Sequence, residues 1–416
     1  MADSTSRDRA RYKRSYFGLI GSSFISNGGN AFTNLAIPLY VLQTTGSAAQ
    51  TGIVAVVNYA PPIVSSIFGG ALVDRIGRRR TLLISEALNL VGTALIPIFH
   101  LLGILNFPLL LVLVALGAVL DSPARASRGS MIPTFATRAG FSPERAQVMN
   151  QSGFFLSQTV GPSLAGLIIS LYGPTTAIWV DACSFVVSFL IVAALVDNPA
   201  VAARLRPSTY REDLLEGFHY VWRDPFIRSM SVMVTYLTMF YVPLFTVLYP
   251  VYFTERIHSA RALGVFIGLE SAGTFLGGIV YGVFAHRTSR WFVFIGSQFA
   301  GLPFLWLLLA TPAIPILWIA AFLNGFLTGP LNSVVQVALQ VRVSDDMRPR
   351  VNSLITASSL LAIPAGALLM GLLIETIGVL WTFGFVAAFY TIGPAIVAAM
   401  PVFHLIDEDL PEVMAV

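Results

Sequence analysis

The chain has 416 residues, of which 56% are hydrophobic and 11% are charged, and its mean hydropathy is +0.76. A soluble domain carries about 25% charged residues and must cover its core with polar surface, so this composition predicts an integral membrane protein. The formal net charge of +4 is typical of basic residues retained on the cytoplasmic side of a membrane. The single cysteine, Cys183, excludes a disulfide within the chain.

Charge-free runs divide the chain into twelve predicted membrane spans. A spanning helix needs about 20 predominantly apolar residues, and residues 15–73 and 87–120 contain no Asp, Glu, Lys or Arg. The predicted spans are 15–42, 48–73, 81–103, 107–132, 145–171, 175–196, 227–253, 263–285, 291–310, 314–340, 350–374 and 379–404. The predicted fold class is therefore an all-α integral membrane protein.

Basic residues lie in alternate connections between these spans. They precede span 1 and follow spans 2, 4, 6, 8 and 10, whereas the opposite connections carry only Arg256 and Arg261. Because loops rich in Arg and Lys stay in the cytoplasm, both termini and the central connection are expected to be cytoplasmic. The basic segments are also expected to contact lipid headgroups.

The longest connection, 197–226, separates six spans from six. It contains apolar residues at Leu214, Leu215, Phe218, Val221 and Trp222 with charges between them, a spacing that predicts an amphipathic helix at the membrane interface. The predicted domains are thus an N-terminal six-helix bundle (1–196), a cytoplasmic linker (197–226) and a C-terminal six-helix bundle (227–416). Residues 148–166 also align with 350–368, which predicts a parallel repeat and pseudo-symmetric halves.

A compact charged motif follows span 2. Its residues fit the pattern G-x-L-x-D-R-x-G-R-R-x-x-L: Gly70, Leu72, Asp74, Arg75, Gly77, Arg78, Arg79 and Leu82. This resembles the signature loop between the second and third helices of the major facilitator superfamily, and a degenerate copy lies at 277–288. Together with the twelve spans and the linker, the resemblance covers essentially the whole chain. The segment "AIPLYVLQTTGSAAQTG" with the later "GSMIPT" is similar to the macrolide-efflux and enterobactin-exporter branch.

The resemblance implies a gating role for this motif. Asp74 can accept hydrogen bonds from the amino end of a neighbouring helix, which the resemblance identifies as span 11, starting near Asn352. Such a contact would close the cytoplasmic side and break when that side opens. The alternative is that the motif only orients the chain in the membrane. For Arg78 and Arg79 the two roles carry equal weight. For Asp74 gating is favoured, because acids contribute little to membrane orientation.

Ionisable residues inside spans are candidate functional groups because charge in a membrane is expensive. Asp121, Arg125 and Arg128 share one face of span 4, so Asp121 is expected to pair with Arg125; a substrate or gating role and a structural ion pair both remain open. Arg128 is expected to lie near enough to the cytoplasm to reach Asp74.

Glu270 in span 8 has no basic residue one turn away. A carboxyl in apolar surroundings is suited to proton coupling, and the alternative is a carboxyl open to the outer water. Asp121 is the second proton-coupling candidate. Glu86, Asp181 and Glu375 are expected to have structural or interfacial roles.

Glycine and proline in span 5 form a partial antiporter motif. The sequence "GPSLAG" places Gly161, Pro162 and Gly166 where the family pattern reads G-P-x-x-G-G, with Ala165 in place of one glycine. Close helix packing and a bend at Pro162 are the expected consequences. The motif favours export, and the alternative is a Gly-Pro pair of the kind that also occurs in ordinary membrane helices.

Polar stripes mark two further helices. Span 1 carries Asn30 and Asn34 on one face, and span 10 carries Asn324, Asn332 and Gln336. Such residues either join helices or face a wet cavity, and we favour the cavity because the resemblance assigns both helices to it. In span 7, Tyr236 and Phe240 either pack against other helices or line a site for an apolar substrate. The amide at Asn30 stands where related exporters often carry an acid.

These features favour a secondary exporter of amphipathic small organic molecules, such as a drug, natural product or siderophore, that works by alternating access and proton antiport. The sequence contains no catalytic set, metal-ligand spacing or nucleotide-binding motif, so neither an enzyme nor a cofactor is expected. The expected partners are the substrate, protons and membrane lipids, with no nucleic acid, and the expected state is a monomer in the bacterial inner membrane. Two alternatives remain: an importer or uniporter, and a non-transporting or lipid-translocating protein on the same fold.

Overall fold

The computed structural model describes residues 2–198, 210–344 and 347–407, and in these residues it contains helices and no β-strand. The first seven α-helices are α1 (Ala2–Thr45), α2 (Ala48–Ile76), α3 (Arg78–Leu101), α4 (Phe107–Ala118), α5 (Asp121–Ala139), α6 (Pro143–Tyr172) and α7 (Pro174–Leu195). The next six are α8 (Tyr210–Arg223), α9 (Pro225–Pro243), α10 (Tyr249–Tyr252), α11 (Ala260–Phe284), α12 (Arg290–Ala300) and α13 (Leu302–Leu309). The last four are α14 (Ile314–Thr328), α15 (Pro330–Arg342), α16 (Arg348–Ile377) and α17 (Val379–Ala399).

Ten helical stretches of the described chain are long and apolar enough to cross a membrane, and each has a mean hydropathy of 1.5 or more. They coincide with predicted spans 3 to 12. The helices α1 and α2 cover the two remaining predicted spans, 15–42 and 48–73. The all-helical membrane fold predicted from the charge-free runs is confirmed.

Two glycines end equivalent helices in the two halves of the sequence. Gly173 follows α6 with φ 84° and ψ 167°, and Gly378 follows α16 with φ 83° and ψ 163°. A positive φ strains any residue with a Cβ, so glycine is the residue that permits this turn. Pro162 and Pro364 lie inside the same two helices. One backbone conformation at matching positions is what an internal repeat predicts.

The chain divides into two compact units. Unit 1 comprises residues 1–46, 54–205 and 259–264, and unit 2 comprises residues 47–53, 206–258 and 265–416. Relative to the predicted bundles, the first turns of α2 belong to unit 2 and the first turns of α11 belong to unit 1.

Close contacts at glycines explain why the first turns of α2 belong to unit 2 and the first turns of α11 belong to unit 1. Within unit 2, a Cβ on Gly52 would lie 2.6 Å from the carbonyl oxygen of Ala367, so the start of α2 lies directly against α16. Within unit 1, a Cβ on Gly166 would lie 2.8 Å from the Cα of Gly264, so the start of α11 lies directly against α6. Helices approach this closely only where small residues line the contact.

Each unit has its own apolar core. In unit 1, Tyr16, Leu82, Phe135 and Val192 are completely buried together. In unit 2, the core includes Phe226, Ile227, Met230, Phe294 and Phe403. Large apolar side chains also cover the outer faces of the helices, as expected of surfaces that contact lipid.

The linker forms a helix where its apolar spacing predicts one. Within unit 2, α8 packs on α16, where Glu216 and Arg350 form an ion pair of 3.0 Å and Gly217 contacts the backbone of Arg350. Phe218 and Trp222 stack on each other and stay about half exposed. Residues 199–209 of the predicted linker, and the side chains of Leu214 and Leu215, lie outside the described set.

Candidate functional site

Unit 2 contains an open cavity of about 650 Å³. Helices α9 to α17 contribute its wall, and most of the wall is apolar. Its polar lining residues are Thr238, Tyr241, Tyr249, Glu270, Thr274, Ser297, Gln298, Asn324, Thr328, Asn332, Gln336, Asn352, Thr356 and Tyr390. A volume of this size is typical of small-molecule sites.

Glu270 is the acidic residue of the cavity wall. Its side chain is 4% exposed, and the amide nitrogen of Asn324 donates a 2.9 Å hydrogen bond to its Oε1 atom. The Oε2 atom is buried and has no hydrogen-bond partner among the described residues. Since a buried carboxylate without a cation is costly, this geometry suits a carboxyl that holds a proton.

Four glycines bring Glu270 and Asn324 together. A Cβ on Gly325 of α14 would overlap the carbonyl oxygen of Glu270, and a Cβ on Gly329 would overlap that of Thr274. On α11, a Cβ on Gly273 or Gly277 would overlap carbonyl oxygens of α14. The two helices therefore touch through their backbones, and the short amide of Asn324 reaches the carboxyl.

The predicted polar stripe of span 10 lies along the cavity. Asn324 and Thr328 at the end of α14, and Asn332 and Gln336 on α15, all line it. Thr328 donates a 2.8 Å hydrogen bond to the carbonyl of Asn324. All four side chains lie at the cavity wall, and Asn324 also joins α14 to α11 through its bond to Glu270.

Two aromatic residues predicted as cavity candidates lie elsewhere. The hydroxyl of Tyr236 donates a 2.7 Å hydrogen bond to the carbonyl of Phe389, and the two rings stack at 3.9 Å. Phe240 is 1% exposed and packs edge-on against Phe389. This face of α9 therefore packs on α17, and the adjacent residue Tyr241 lines the cavity instead.

Unit 1 holds a group of buried charges. Arg128 of α5 forms an ion pair with Glu86 of α3, and both side chains are largely buried. Asn89 of α3 donates a 3.4 Å hydrogen bond to Asp121. Arg125 is exposed and makes no direct hydrogen bond or ion pair to Asp121 in the described residues.

The pairing across helices has a physical reason. Glu86 is 2% exposed, and a carboxylate so deeply buried requires a cation, which α5 supplies at Arg128. The expected contact between Arg128 and Asp74 involves a side chain outside the described set. Neither partner of the observed pair could be identified from i, i+4 spacing, because the two residues lie on different helices.

The charged motif after span 2 forms the turn between α2 and α3. Gly77 adopts φ 92°, which glycine permits. Gly70 and Asp74 lie within α2, and the Asp74 side chain lies outside the described set. Arg75 is exposed, Arg78 is half-buried, and Arg79 donates a 2.6 Å hydrogen bond to the carbonyl of Ala193 on α7.

The remaining candidates lie in unit 1. A Cβ on Gly161 would lie 2.6 Å from the Cβ of Ala31, so α6 lies against α1 at this point, and Gly166 contacts the first turns of α11. Pro162 is inside α6. Asn30 is half-buried and Asn34 is exposed on α1; neither belongs to the cavity of unit 2.

Comparison with known proteins identifies the family. The sequence profile described as the Major Facilitator Superfamily matches residues 19–252 and 244–412. The chain belongs to the Major Facilitator Superfamily. As a member of this superfamily it is a multi-pass membrane transporter and not an enzyme, as the composition and the charged motif predict.

Similar proteins of the superfamily match over most of their length. The chain is 30% identical over 370 residues to "Multidrug efflux pump Tap" of Mycolicibacterium fortuitum, covering 88% of this chain and 90% of that protein. It is 25% identical over 363 residues to "Enterobactin exporter EntS" of Escherichia coli O1:K1 / APEC, covering 84% and 82%.

A solved structure supports the fold. The nucleoside transporter NupG matches with a TM-score of 0.74 over 92% of this chain and 98% of its own, at 14% identity. At this identity the likeness concerns the fold alone.

Proposed function

We propose that this protein exports amphipathic small organic molecules from the bacterial cytoplasm in exchange for protons, and that Glu270 carries the proton. The observation that carries the proposal is the position of Glu270. Its carboxyl is buried at the wall of an apolar cavity and is bonded through one oxygen to the neutral amide of Asn324.

The cavity supports an amphipathic substrate. Its volume of about 650 Å³ lies within the range of drug-sized sites. Apolar residues such as Leu237 and Leu305 offer contact area, and the amides of Asn332 and Gln336 offer hydrogen bonds. A molecule with an apolar body and a few polar groups matches this wall.

The surroundings of Glu270 support proton exchange. No ion pair involves Glu270 in the part of the chain that the structure describes, and Asn324 bonds the carboxyl in either protonation state. Span 1 carries Asn30 where an acid is common in related exporters, so the coupling carboxyl has to lie elsewhere. Because binding of substrate changes the polarity around Glu270, substrate and proton are expected to compete.

Export is supported by similar proteins whose alignments cover most of this chain. The proteins named multidrug efflux pump Tap and enterobactin exporter EntS match over more than four fifths of this chain. Their names describe outward movement of organic molecules. A drug, natural product or siderophore is therefore the proposed class of cargo.

The transport cycle is proposed to be alternating access, in which two bundles of helices expose a central site to one side at a time. The motif residues Gly70, Asp74, Arg75, Gly77, Arg78 and Arg79 are proposed to form the cytoplasmic gate. The glycine and proline residues of α6, Gly161, Pro162 and Gly166, are proposed to give the close packing that an antiporter requires.

The basic segments support an orientation with both termini and the linker in the cytoplasm of a bacterial cell, in the inner membrane. Substrate, protons and lipids are the proposed partners of a monomeric transporter.

Transport into inverted membrane vesicles under an imposed pH gradient tests the proposal. Wild-type protein should accumulate drug-like substrates when the vesicle interior is acidic, and Glu270→Gln should weaken the effect of the gradient while binding to purified protein stays measurable. The matched control is Glu255→Gln, which removes an exposed carboxyl and should transport as wild type does.

Two results would overturn the proposal. If Glu270→Gln responds to the gradient as wild type does, another residue carries the proton. If wild-type transport ignores the gradient, the importer or uniporter interpretation replaces antiport.

A further inference from the structure

Asp181 in unit 1 is hydrogen-bonded in the same way as Glu270 in unit 2. Its side chain is completely buried on α7, and the hydroxyl of Ser184 donates a 3.1 Å hydrogen bond to Oδ1. Its Oδ2 atom is buried and has no hydrogen-bond partner among the described residues. In both units, a neutral donor bonds one oxygen of a buried carboxyl and the other oxygen stays unbonded.

The helices packed against α7 bring no free cation to Asp181. These helices are α1, α3 and α6. Residues 15–45 of α1 and 146–172 of α6 contain no Asp, Glu, Lys, Arg or His, and residues 81–99 of α3 contain only Glu86. On α1, a Cβ at Gly29 would overlap Asp181 Oδ1, so this helix meets the carboxyl with its backbone.

The guanidinium beside Glu86 is already engaged. Arg128 of α5 forms its ion pair with Glu86, which neutralises one of the two buried carboxyls. Since one cation cannot neutralise two carboxylates in a low-dielectric site, the second carboxyl is expected to hold a proton. Asp181 is the carboxyl that lacks the cation.

A graded series of polar groups leads from this region to the surface. Glu86 is 2% exposed and Arg128 is 16% exposed. Asn89 and Asp121 follow at the α3–α5 contact, and Arg125 is exposed on the same helix as Arg128. Polar groups inside membrane helices are expected to face a pathway or a wet cavity, and this series offers a route for a proton.

We propose that Asp181 is a second proton-binding site, and that its proton exchanges with water during transport. The proton binds an Asp181 oxygen while Arg128 neutralises Glu86, and on release it passes to water along the α3–α5 polar groups. This inference rests on the proposed antiport for the exchange step, and it makes the expected exchange two protons per substrate, one at Glu270 and one at Asp181.

Infrared spectroscopy of the purified full-length protein tests the binding step, because a protonated carboxyl has its own carbonyl stretch. Asp181→Asn should remove one such band. Glu86→Gln should remove the same band, because it frees Arg128 to neutralise Asp181; this variant decides the matter if Asp181→Asn fails to fold. Glu255→Gln should leave the band unchanged. An unchanged band in Asp181→Asn, or in Glu86→Gln, would overturn the binding site.

The coupling ratio tests the exchange step. Each exchanged proton multiplies the sustainable accumulation ratio about tenfold per pH unit of gradient. We expect about a hundredfold dependence per pH unit for wild type and about tenfold for Asp181→Asn. Equal dependence in the two proteins would overturn the role of Asp181. A wild type without any dependence would overturn the proposed antiport instead, and the infrared result would still decide whether Asp181 binds a proton.

Discussion

Asp197 lies just beyond the end of α7, outside the predicted spans, and shows how a charge contact anchors the N-terminal segment. Arg11 donates hydrogen bonds of 2.8 and 3.1 Å to its two carboxylate oxygens, and Ser15 donates a third of 3.2 Å. The hydrogen bonds from Arg11 hold the pKa of the Asp197 carboxyl below its ordinary value. The ionised carboxylate is therefore favoured in the folded protein.

The first prediction concerns the pH dependence of this contact. A carboxyl whose pKa is lowered by folding stabilises the folded state above its unfolded pKa, and the effect disappears as pH falls through the folded pKa. Asp197→Asn should lower the melting temperature near neutral pH and match wild type in acid. Melting curves of purified protein over a pH series measure this. A melting temperature difference that persists in strong acid would show that the contact acts through packing.

At the residue scale, sequence reasoning finds isolated carboxyls but not their partners. Glu270 stands out because span 8 contains no other charge within its apolar stretch. Its partner Asn324 lies 54 positions away on another helix. Residue spacing within one helix does not predict which residues of two packed helices meet. For the same reason the i, i+4 rule points to Asp121–Arg125, whereas the observed ion pair is Glu86–Arg128. The sequence predicts a structural or interfacial role for Asp181, because its missing cation is visible only in the packed protein.

At the scale of helices, close contact between α11 and α14 fixes the geometry of the candidate site. Two neighbouring glycines of α11 allow this to be tested. A Cβ on Gly277 would overlap the carbonyl oxygen of Phe326, whereas a Cβ on Gly278 would meet nothing within 4 Å. The two residues share one helix and differ in the face they present.

We predict that Gly277→Ala separates the two helices and destabilises the protein by about 1–3 kcal/mol, as overpacking does, while Gly278→Ala is neutral or slightly stabilising because alanine favours helix. The loss should extend to proton-driven transport, since the Glu270–Asn324 bond depends on the contact. Thermal unfolding of the two variants in one detergent gives the comparison. Equal stability of the two variants would mean that the helices already have room for a methyl group.

Apolar length predicts the helices well, because the absence of charge is a strong and local signal. It does not predict how they break. Span 10, predicted as one helix over 314–340, divides at Gly329 into α14 and α15, and span 4 divides at 119–120 into α4 and α5. A proline follows each break: Pro330 and Pro123 have no backbone N–H to donate to the carbonyl four residues earlier, and hydropathy does not register this.

For the whole molecule, the internal repeat and the positions of arginine indicate the architecture before any contact is known. The two glycine turns after α6 and α16 agree in conformation to within a few degrees. The sequence could not show that the first turns of α2 and α11 each join the other compact unit, since this depends on close glycine contacts between helices.

The last prediction concerns the charged motif. Asp74 lies near the end of α2, three residues before the Gly77 turn. An acid contributes little to membrane orientation, so its expected role is to accept hydrogen bonds that close the cytoplasmic side. A charge-assisted hydrogen bond is worth about 1.5–3 kcal/mol, which shifts a two-state equilibrium by about tenfold or more.

Asp74→Asn should therefore weaken the closed cytoplasmic state and reduce export, while the protein still inserts with its normal topology. The rate of substrate uptake into inverted vesicles measures the first effect. Cysteines introduced at Ser47 and Thr209 measure the second, because they should label from opposite sides of the membrane in both proteins. Arg80→Gln removes an exposed charge of the same loop and should leave transport near the wild-type rate. Wild-type transport by Asp74→Asn, with both cysteines labelled as expected, would mean that the motif acts in orientation alone and that another contact closes the gate.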